Sequence, residues 1–162
     1  MISPSNFFND IKTIAIVGLS DKPDRPSYEV GKYLISRNFK IFPVNPNIDN
    51  FLGIKSYKTL SEIKEKIDVV DIFRRSEFVG PIVDEAIKIG AKSIWMQEGV
   101  VDKISANKAR AAGLTVTMNM CMMKEHKKRL NLKRLKVKQT VKYQTNKQSV
   151  FNVYGLIVCL TV

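Results

Sequence analysis

A strand, a single glycine and a helix follow one another near the start of this chain, and this order constrains the fold most. Thr13–Val17 is almost entirely apolar and rich in β-branched residues, as is typical of a parallel strand covered on both faces. Gly18 then permits a sharp turn, and a helix is predicted to start near Ser27, which would cap it. The N–H groups at a helix start favour anions, and Arg25 just upstream can donate two hydrogen bonds to phosphate oxygens. The segment predicts a phosphate-binding loop, with an ordinary strand-to-helix connection as the alternative.

Strand-like and helical segments alternate through most of the sequence. The predicted strands are Thr13–Val17, Lys40–Val44, Val69–Phe73, Ser93–Met96 and Leu114–Met118, and the predicted helices are Tyr28–Arg37, Pro81–Ile89 and Ile104–Ala112, with a shorter one at Leu60–Lys66. Asn38, Gly90 and Gly113 each lie between a helix and a strand, where a left-handed residue is expected. Such alternation predicts right-handed crossovers. The fold class is therefore predicted to be α/β, a Rossmann-like three-layer fold with a mainly parallel five-stranded sheet.

Charge divides the 162 residues into two parts. The 27 Lys and Arg against 15 Asp and Glu give a net charge of +12, and every acidic residue precedes residue 131. We therefore expect one domain over residues 1–130 and a basic C-terminal extension over residues 131–162. The run Lys124–Lys138 could bind nucleic acid by releasing counterions, but no aromatic platform accompanies it, so a solvated extension is preferred. Val150–Val162 turns apolar again and could add a strand or pack on the core.

The number of cysteines and the hydropathy of the sequence indicate the cellular compartment of the protein. Cys121 and Cys159 do not make a disulfide framework, and no charged segment followed by an apolar one opens the sequence. No apolar run reaches the length of about 20 residues that spans a bilayer. We therefore expect a cytoplasmic protein with no membrane partner, and the oligomeric state is left open.

Polar residues, glycine or proline follow every predicted strand. Ligands of parallel α/β sheets bind beyond the carboxyl ends of the strands, so these residues form one candidate site. They are Gly18, Leu19, Ser20, Arg25 and Ser27 after the first strand, Asn45 and Pro46 after the second, Arg74 and Arg75 after the third, Gln97, Glu98 and Gly99 after the fourth, and Asn119, Met120 and Cys121 after the fifth. The alternative for Arg74 and Arg75 is surface pairing with Asp71 or Glu77.

The strand ends do not carry the usual residues of an NAD site. Such a site has G-x-G-x-x-G in the first turn and an acidic residue at the end of the second strand. Here the first turn reads GLSDKP, and the second strand ends Val44-Asn45-Pro46. The absence of this carboxylate removes a group that would repel a phosphorylated ribose, and Arg74 and Arg75 add positive charge near the edge. The edge therefore favours a ligand with several phosphates.

Five motifs follow one another along the first part of the sequence. They are IAIVGLSDKPDRPSYEVGKYL from Ile14, the VNP of Val44–Pro46, the run Asp68–Arg75, IWMQEGV at Ile94–Val100 and MNMCMMKEH at Met118–His126. In this order they resemble the small CoA-binding domain proteins, a family similar to the CoA-binding domain of the succinyl-CoA synthetase α subunit. The resemblance covers about Met1–Leu130 and implies a domain that binds CoA or acyl-CoA by its phosphates at the first loop, with the adenine end over the second and third strand ends. The cofactor-binding residues it implies are Gly18, Leu19, Ser20, Arg25, Ser27, Asn45, Pro46, Phe73, Arg74, Arg75, Gln97 and Glu98.

Catalytic chemistry has little support in the sequence. The single histidine, His126, lies in a Lys-rich run without a Ser/His/Asp set or a metal-spaced cluster, so a solvated or helix-end side chain is preferred. Cys121 could form a mixed disulfide with the CoA thiol, but buried packing is preferred. We predict a small-molecule CoA-binding protein that is not an enzyme and has no nucleic-acid partner. The alternatives are an NAD(P)-binding enzyme or redox-sensing Rossmann protein, and a nucleic-acid-interacting protein that uses the basic tail.

Overall fold

The computed structural model describes residues 7–135 and 138 of the chain. The chain divides into two compact units, Met1–Lys124 and Glu125–Val162, and the α/β fold lies in the first. The domain boundary expected at residue 130 stays a prediction. The apolar segment Val150–Val162, for which a strand is one expectation, lies outside the described residues.

Five parallel strands form the central sheet. The strands among the described residues are β1 (Thr13–Val17), β2 (Lys40–Val44), β3 (Asn50–Phe51), β4 (Ile54–Lys55), β5 (Val69–Ile72), β6 (Ser93–Met96) and β7 (Thr115–Thr117). The sheet order is β2-β1-β5-β6-β7, and every neighbouring pair is parallel. This confirms the predicted fold class and its five strands. The antiparallel pair β3–β4 is absent from the sequence prediction, because two-residue strands are too short to show an alternating pattern.

From residue 7 onward, the described part of the first unit contains four helices, and another begins near its end. They are α1 (Phe7–Asp10), α2 (Pro26–Ser36), α3 (Val79–Lys88) and α4 (Lys103–Ala111), followed by a helix over residues 122–135, here α5. The predicted helix at Leu60–Lys66 is instead a single 3-10 turn, Leu60–Glu62, because the chain becomes extended at Ile63. The three predicted left-handed residues after helices are confirmed, with φ of 65° at Asn38, 71° at Gly90 and 87° at Gly113.

Alternating side chains of the strands build two hydrophobic clusters, one on each face of the sheet. Ile14 and Ile16 of β1 pack in the cluster that contains Val30 and Leu34 of α2. Ala15 and Val17 belong to the other cluster, which also contains Val79 and Val83 of α3 and Ala106 and Ala109 of α4. Helix α2 therefore covers one face, and α3 and α4 cover the opposite face.

Two further features concern the core and the start of α4. Trp95 and Met96 are both buried, and they belong to the clusters on opposite faces. Asp102 caps α4, since its Oδ1 accepts a hydrogen bond of 3.0 Å from the Ser105 N–H. Within the part of the chain that the structure describes, no helix is long and apolar enough to cross a membrane.

Candidate functional site

The loops after β1 and β5 leave the sheet toward opposite faces. These two strands are neighbours, with Val17 aligned to Ile72 at their carboxyl ends. The chain after β1 enters α2 on one face, whereas the chain after β5 leads to α3 on the other. Such a divergence opens a crevice at the carboxyl edge of a parallel sheet, and this is where ligands of these folds bind. The candidate site is therefore centred on the β1 and β5 ends.

Gly18 and Phe73 meet at the point where the two loops diverge. Gly18 has φ of +86°, and a Cβ atom there would lie 2.5 Å from the Phe73 carbonyl oxygen and 2.9 Å from Arg74 Cδ. The backbone hydrogen bonds continue around this point, since the Phe73 N–H donates to the Val17 carbonyl at 2.8 Å. Only glycine combines this φ with this close approach.

Ser27 closes the β1–α2 loop instead of capping the helix, which corrects the predicted N-cap. Pro26 takes the first helical position, where its fixed φ and missing N–H are tolerated, so the cap position falls on Arg25. The buried Ser27 hydroxyl accepts a hydrogen bond of 3.0 Å from the Ser20 N–H. The Ser20 hydroxyl in turn accepts one of 3.2 Å from the Lys22 N–H. These two bonds give the loop a defined shape over the start of α2.

Arg25 presents its charge to solvent beside the first turn of α2. Its nearest acidic contact joins Arg25 Nε to Asp24 Oδ2 at 3.9 Å, and both side chains are exposed. An exposed pair at that distance contributes little to stability. The Arg25 guanidinium and the positive end of the α2 dipole therefore act in the same direction on an anion in the crevice.

Asn45 ties the end of β2 to the first loop. Its Nδ2 donates to the Leu19 carbonyl at 2.9 Å, and its Oδ1 accepts from the Asn47 N–H at 3.0 Å. Leu19 has a fully buried side chain, so this residue offers only its backbone to a ligand. Pro46 follows on the exposed surface. The ends of β1 and β2 are thus joined through a side chain.

Arg74 and Arg75 are exposed on the β5 side of the crevice. The Arg74 guanidinium carbon lies 5.5 Å from the centroid of the Phe78 ring, within the range of a cation–π contact. Asp71, a suggested ion-pair partner of these arginines, is fully buried and hydrogen-bonded to Gln97. That alternative is therefore wrong for Asp71.

Gln97 points into the sheet and contacts a buried carboxyl group. Gln97 Nε2 donates to Asp71 Oδ1 at 2.8 Å and to Oδ2 at 2.9 Å. Burial raises the pKa of Asp71 to about 8, although the hydrogen bonds from Gln97 and from the Ile72 backbone oppose that rise. This pair is absent from the sequence prediction, although an acidic residue inside the apolar run VVDI was an available signal for it.

Glu98 lies at the β6 end with a lysine that the sequence analysis did not select. Lys124 Nζ and Glu98 Oε2 are 2.6 Å apart, and both side chains are largely exposed. The hydrogen bond to Glu98 and its negative charge raise the pKa of Lys124. The Glu98 carboxylate is thus partly neutralised.

His126 and Cys121 differ from their expected environments. His126 is only 8% exposed, so the prediction of a solvated side chain is wrong. It falls one helical turn after Met122, which is fully buried, and the surrounding lysines hid this period in the sequence. Cys121 is only partly buried and packs against the cluster on the α2 face. Among residues 7–135 and 138, no group of three His, Cys, Asp or Glu side chains could hold a metal ion.

Comparison with protein families matches the CoA binding domain over residues 12–127. The chain belongs to the CoA-binding domain family. The resemblance drawn from the five sequence motifs is therefore confirmed, and the match contains every residue of the candidate site.

Two curated relatives share this CoA-binding domain. The uncharacterised protein YneT of Bacillus subtilis (strain 168) is 41% identical over 115 residues, which cover 71% of this chain and 85% of YneT. An ADP-forming acetate–CoA ligase of Methanocaldococcus jannaschii is 35% identical over 81 residues, which cover 50% of this chain and 12% of that ligase. The CoA-binding domain thus occurs both in a protein of similar size and as a small part of an enzyme.

Solved structures give the same fold for the CoA-binding domain. A hypothetical protein from Pyrococcus horikoshii OT3 superposes with a TM-score of 0.75 at 39% identity, covering 77% of this chain and 88% of the other. The sheet and the crevice described above therefore belong to a fold with solved relatives.

Proposed function

We propose that this protein binds coenzyme A, or an acyl-CoA, at the crevice between the β1 and β5 loops, and that it carries out no catalytic step of its own. The observation that carries the proposal is the divergence of these loops at Gly18 and Phe73 within a CoA-binding domain. A ligand in this crevice meets the start of α2 on one side and Arg74 on the other. The proposed site lies in the cytoplasm, as expected from the sequence.

The charges around the crevice support a site for the CoA phosphates. Arg25, Arg74 and Arg75 contribute three exposed cations, and the start of α2 adds the positive end of a helix dipole. Ser20 and Ser27 fix the loop between them. A diphosphate at the first loop would therefore be held by oriented N–H groups and by arginine side chains.

The polar end of the carboxyl edge supports a place for the adenine. A cavity of about 400 Å³ lies beside the β3–β4 hairpin and is lined by Asp21, Tyr28, Asn47, Ile48, Asp49, Asn50, Phe51 and Leu52. It adjoins Asn45 and Pro46, which follow β2. The remaining proposed residues, Gln97 and Glu98, follow β6, where the pantetheine arm would pass.

The NAD(P) alternative has weaker support at the end of β2. A dinucleotide site uses an acidic side chain there to accept hydrogen bonds from the ribose hydroxyls. This chain has Asn45, and both ends of its amide already bond to the backbone of Leu19 and Asn47. The position therefore offers no carboxylate to an NAD ribose.

Calorimetric titration of the full chain with CoA, dephospho-CoA, NAD and NADP tests the proposal. We expect CoA to bind at least about tenfold tighter than NAD, a difference of about 1.4 kcal/mol. Equal affinity for NAD and CoA would contradict a site for a multiply phosphorylated ligand. Turnover of a CoA thioester by the purified protein would contradict the non-catalytic role.

A further inference from the structure

Four large apolar side chains are exposed at the carboxyl edge of the sheet, on the side away from β2. Phe78 is 48% exposed, Val101 43%, Ile104 84% and Met120 40%, and together they are called the apolar rim. Phe78 follows β5, Val101 and Ile104 follow β6, and Met120 follows β7. Because parallel strands all end at the same edge, the rim lies on the same side of the sheet as the crevice.

Hydrogen bonds join the loops that carry the apolar rim. The Val101 N–H donates to Ser76 Oγ at 2.9 Å, which links the loops after β6 and β5. The Gly99 N–H donates to Asn119 Oδ1 at 2.8 Å, which links the loops after β6 and β7. Trp95 Nε1 also donates to the Met120 carbonyl at 2.6 Å. The loops after β5, β6 and β7, which lead into the residues of the apolar rim, are therefore joined to one another by hydrogen bonds.

The carboxyl edge changes character from one end to the other. Between the β1–α2 loop and the β3–β4 hairpin lies the cavity in which four of the eight lining residues are Asp or Asn. The centre, between β1 and β5, carries arginines, and Arg74 reaches the rim by stacking on Phe78. Beyond β5 the edge carries the apolar rim together with the exposed ion pair between Glu98 and Lys124. In the sheet order, β7 is three strands from β1, a distance of about 14 Å.

We propose that the ligand is an acyl-CoA whose apolar acyl group lies on the apolar rim. This inference rests on the proposed CoA site, because it extends the same ligand along the same edge. The uncharged adenine fits the cavity beside the β3–β4 hairpin, all the phosphates lie near the arginines, and the pantetheine arm then runs past β5 and β6 toward β7. With free CoA, which ends in a thiol, the apolar rim would remain exposed to water. The acyl chain of an acyl-CoA would cover the rim.

On this proposal, the affinity of the protein for an acyl-CoA depends on the length and the charge of the acyl group. Burying one methylene group favours binding by about fourfold when it is fully removed from water. An open surface buries a short chain only in part, so we expect butyryl-CoA to bind about tenfold tighter than CoA. Succinyl-CoA also has four acyl carbons, but its terminal carboxylate must remain hydrated, so its affinity should stay close to that of CoA.

Titration of the full-length protein with CoA, butyryl-CoA and succinyl-CoA tests the inference. The double variant Val101→Ser/Ile104→Ser should bring the ratio of butyryl-CoA to CoA affinity down to about one. Leu132→Ser removes an exposed leucine of α5, away from the apolar rim, and should keep the ratio at about ten. Circular dichroism melts of both variants establish that they fold.

The outcomes separate this inference from the proposed function. If CoA binds and butyryl-CoA gains nothing over it, the acyl site is overturned while the CoA site stands. If none of the three compounds binds, both are overturned. A dimer of the full chain that dissociates in the double variant, without any preference for butyryl-CoA, would assign the apolar rim to contact between copies and overturn the acyl site.

Discussion

Arg25 carries its charge beside the first turn of α2, where the helix dipole already favours an anion. A charge-assisted contact to phosphate contributes about 1.5–3 kcal/mol, so Arg25→Ala should weaken CoA binding by tenfold or more. Arg37 lies at the other end of the same helix, and Arg37→Ala removes the same charge as a matched control. Calorimetry on both variants measures the effect, and equal affinities for CoA would remove Arg25 from the site.

Asp71 makes the stability of the protein depend on pH, because its carboxyl group is buried. The pKa of this carboxyl group is about 8 in the folded protein, against 3.8 for an ordinary aspartate. The folded state therefore holds a proton that the unfolded chain releases, so the contribution of Asp71 to stability is fully present below about pH 4 and is lost as the pH rises toward 8. Above pH 8 both states are ionised, and the loss is complete.

The variant Asp71→Asn isolates this contribution, because it keeps the side-chain size and can still hydrogen-bond to Gln97. We expect the free energy of unfolding of the wild type to fall relative to the variant by about 2–4 kcal/mol between pH 5 and pH 8. Urea unfolding at several pH values measures the difference. Parallel stability profiles for the two proteins would show that Asp71 is ionised in the folded state.

At the residue scale, the sequence predicted where site residues lie better than what each one does. Strand ends can be located from apolar runs, so Gly18, Asn45 and Arg74 were all placed at the carboxyl edge. Ser27 was assigned as a cap because a sequence pattern does not show that its hydroxyl accepts from Ser20. The hydrogen bond from Gln97 to Asp71 joins residues that are 26 positions apart in the sequence, so no short sequence pattern predicts it.

At the scale of elements, the alternation of strands and helices was enough to predict a parallel sheet. It did not predict the order β2-β1-β5-β6-β7, because that order depends on which face each crossover helix covers. The reversal between β1 and β5 creates the crevice. Short elements such as α1 and the β3–β4 hairpin carry too few residues for any period to appear.

The contact of the β1 and β5 loops predicts a large effect of Gly18→Ala. The Cβ atom of the new alanine would lie 2.5 Å from the Phe73 carbonyl oxygen. The positive φ at this position adds backbone strain. Gly113→Ala is the matched control, since Gly113 has φ of +87° and no atom within 4 Å of its Cβ position. Strain alone should cost Gly113→Ala about 1–2 kcal/mol.

We expect Gly18→Ala to lose at least about 1 kcal/mol more than Gly113→Ala in urea unfolding, because the backbone around Phe73 must shift. CoA binding should also weaken in Gly18→Ala alone, since the same shift moves the floor of the crevice. Equal losses of stability would mean that the two loops separate easily and that the crevice is not rigid.

At the scale of the whole molecule, charge and proposed ligand contacts are distributed unequally between residues 1–130 and residues 131–162. Residues 131–162 contain Lys and Arg but no Asp or Glu, and every proposed CoA contact precedes them. The described side chains at residues 131–135 are exposed, so their removal uncovers little apolar surface. The chain beyond residue 130 is therefore predicted to be dispensable for the ligand.

A protein that ends at Leu130 should fold and should retain the response to CoA. CoA at about 100 times its Kd stabilises the folded state by about 2.7 kcal/mol, which raises Tm by about 5–10 °C for a domain of this size. Thermal melts of the full-length and shortened proteins, each with and without CoA, measure both properties. Should the shortened protein lose its cooperative transition together with the CoA-induced shift, then the apolar segment Val150–Val162 contributes to the core, because each Å² of apolar surface that it buries is worth about 25 cal/mol.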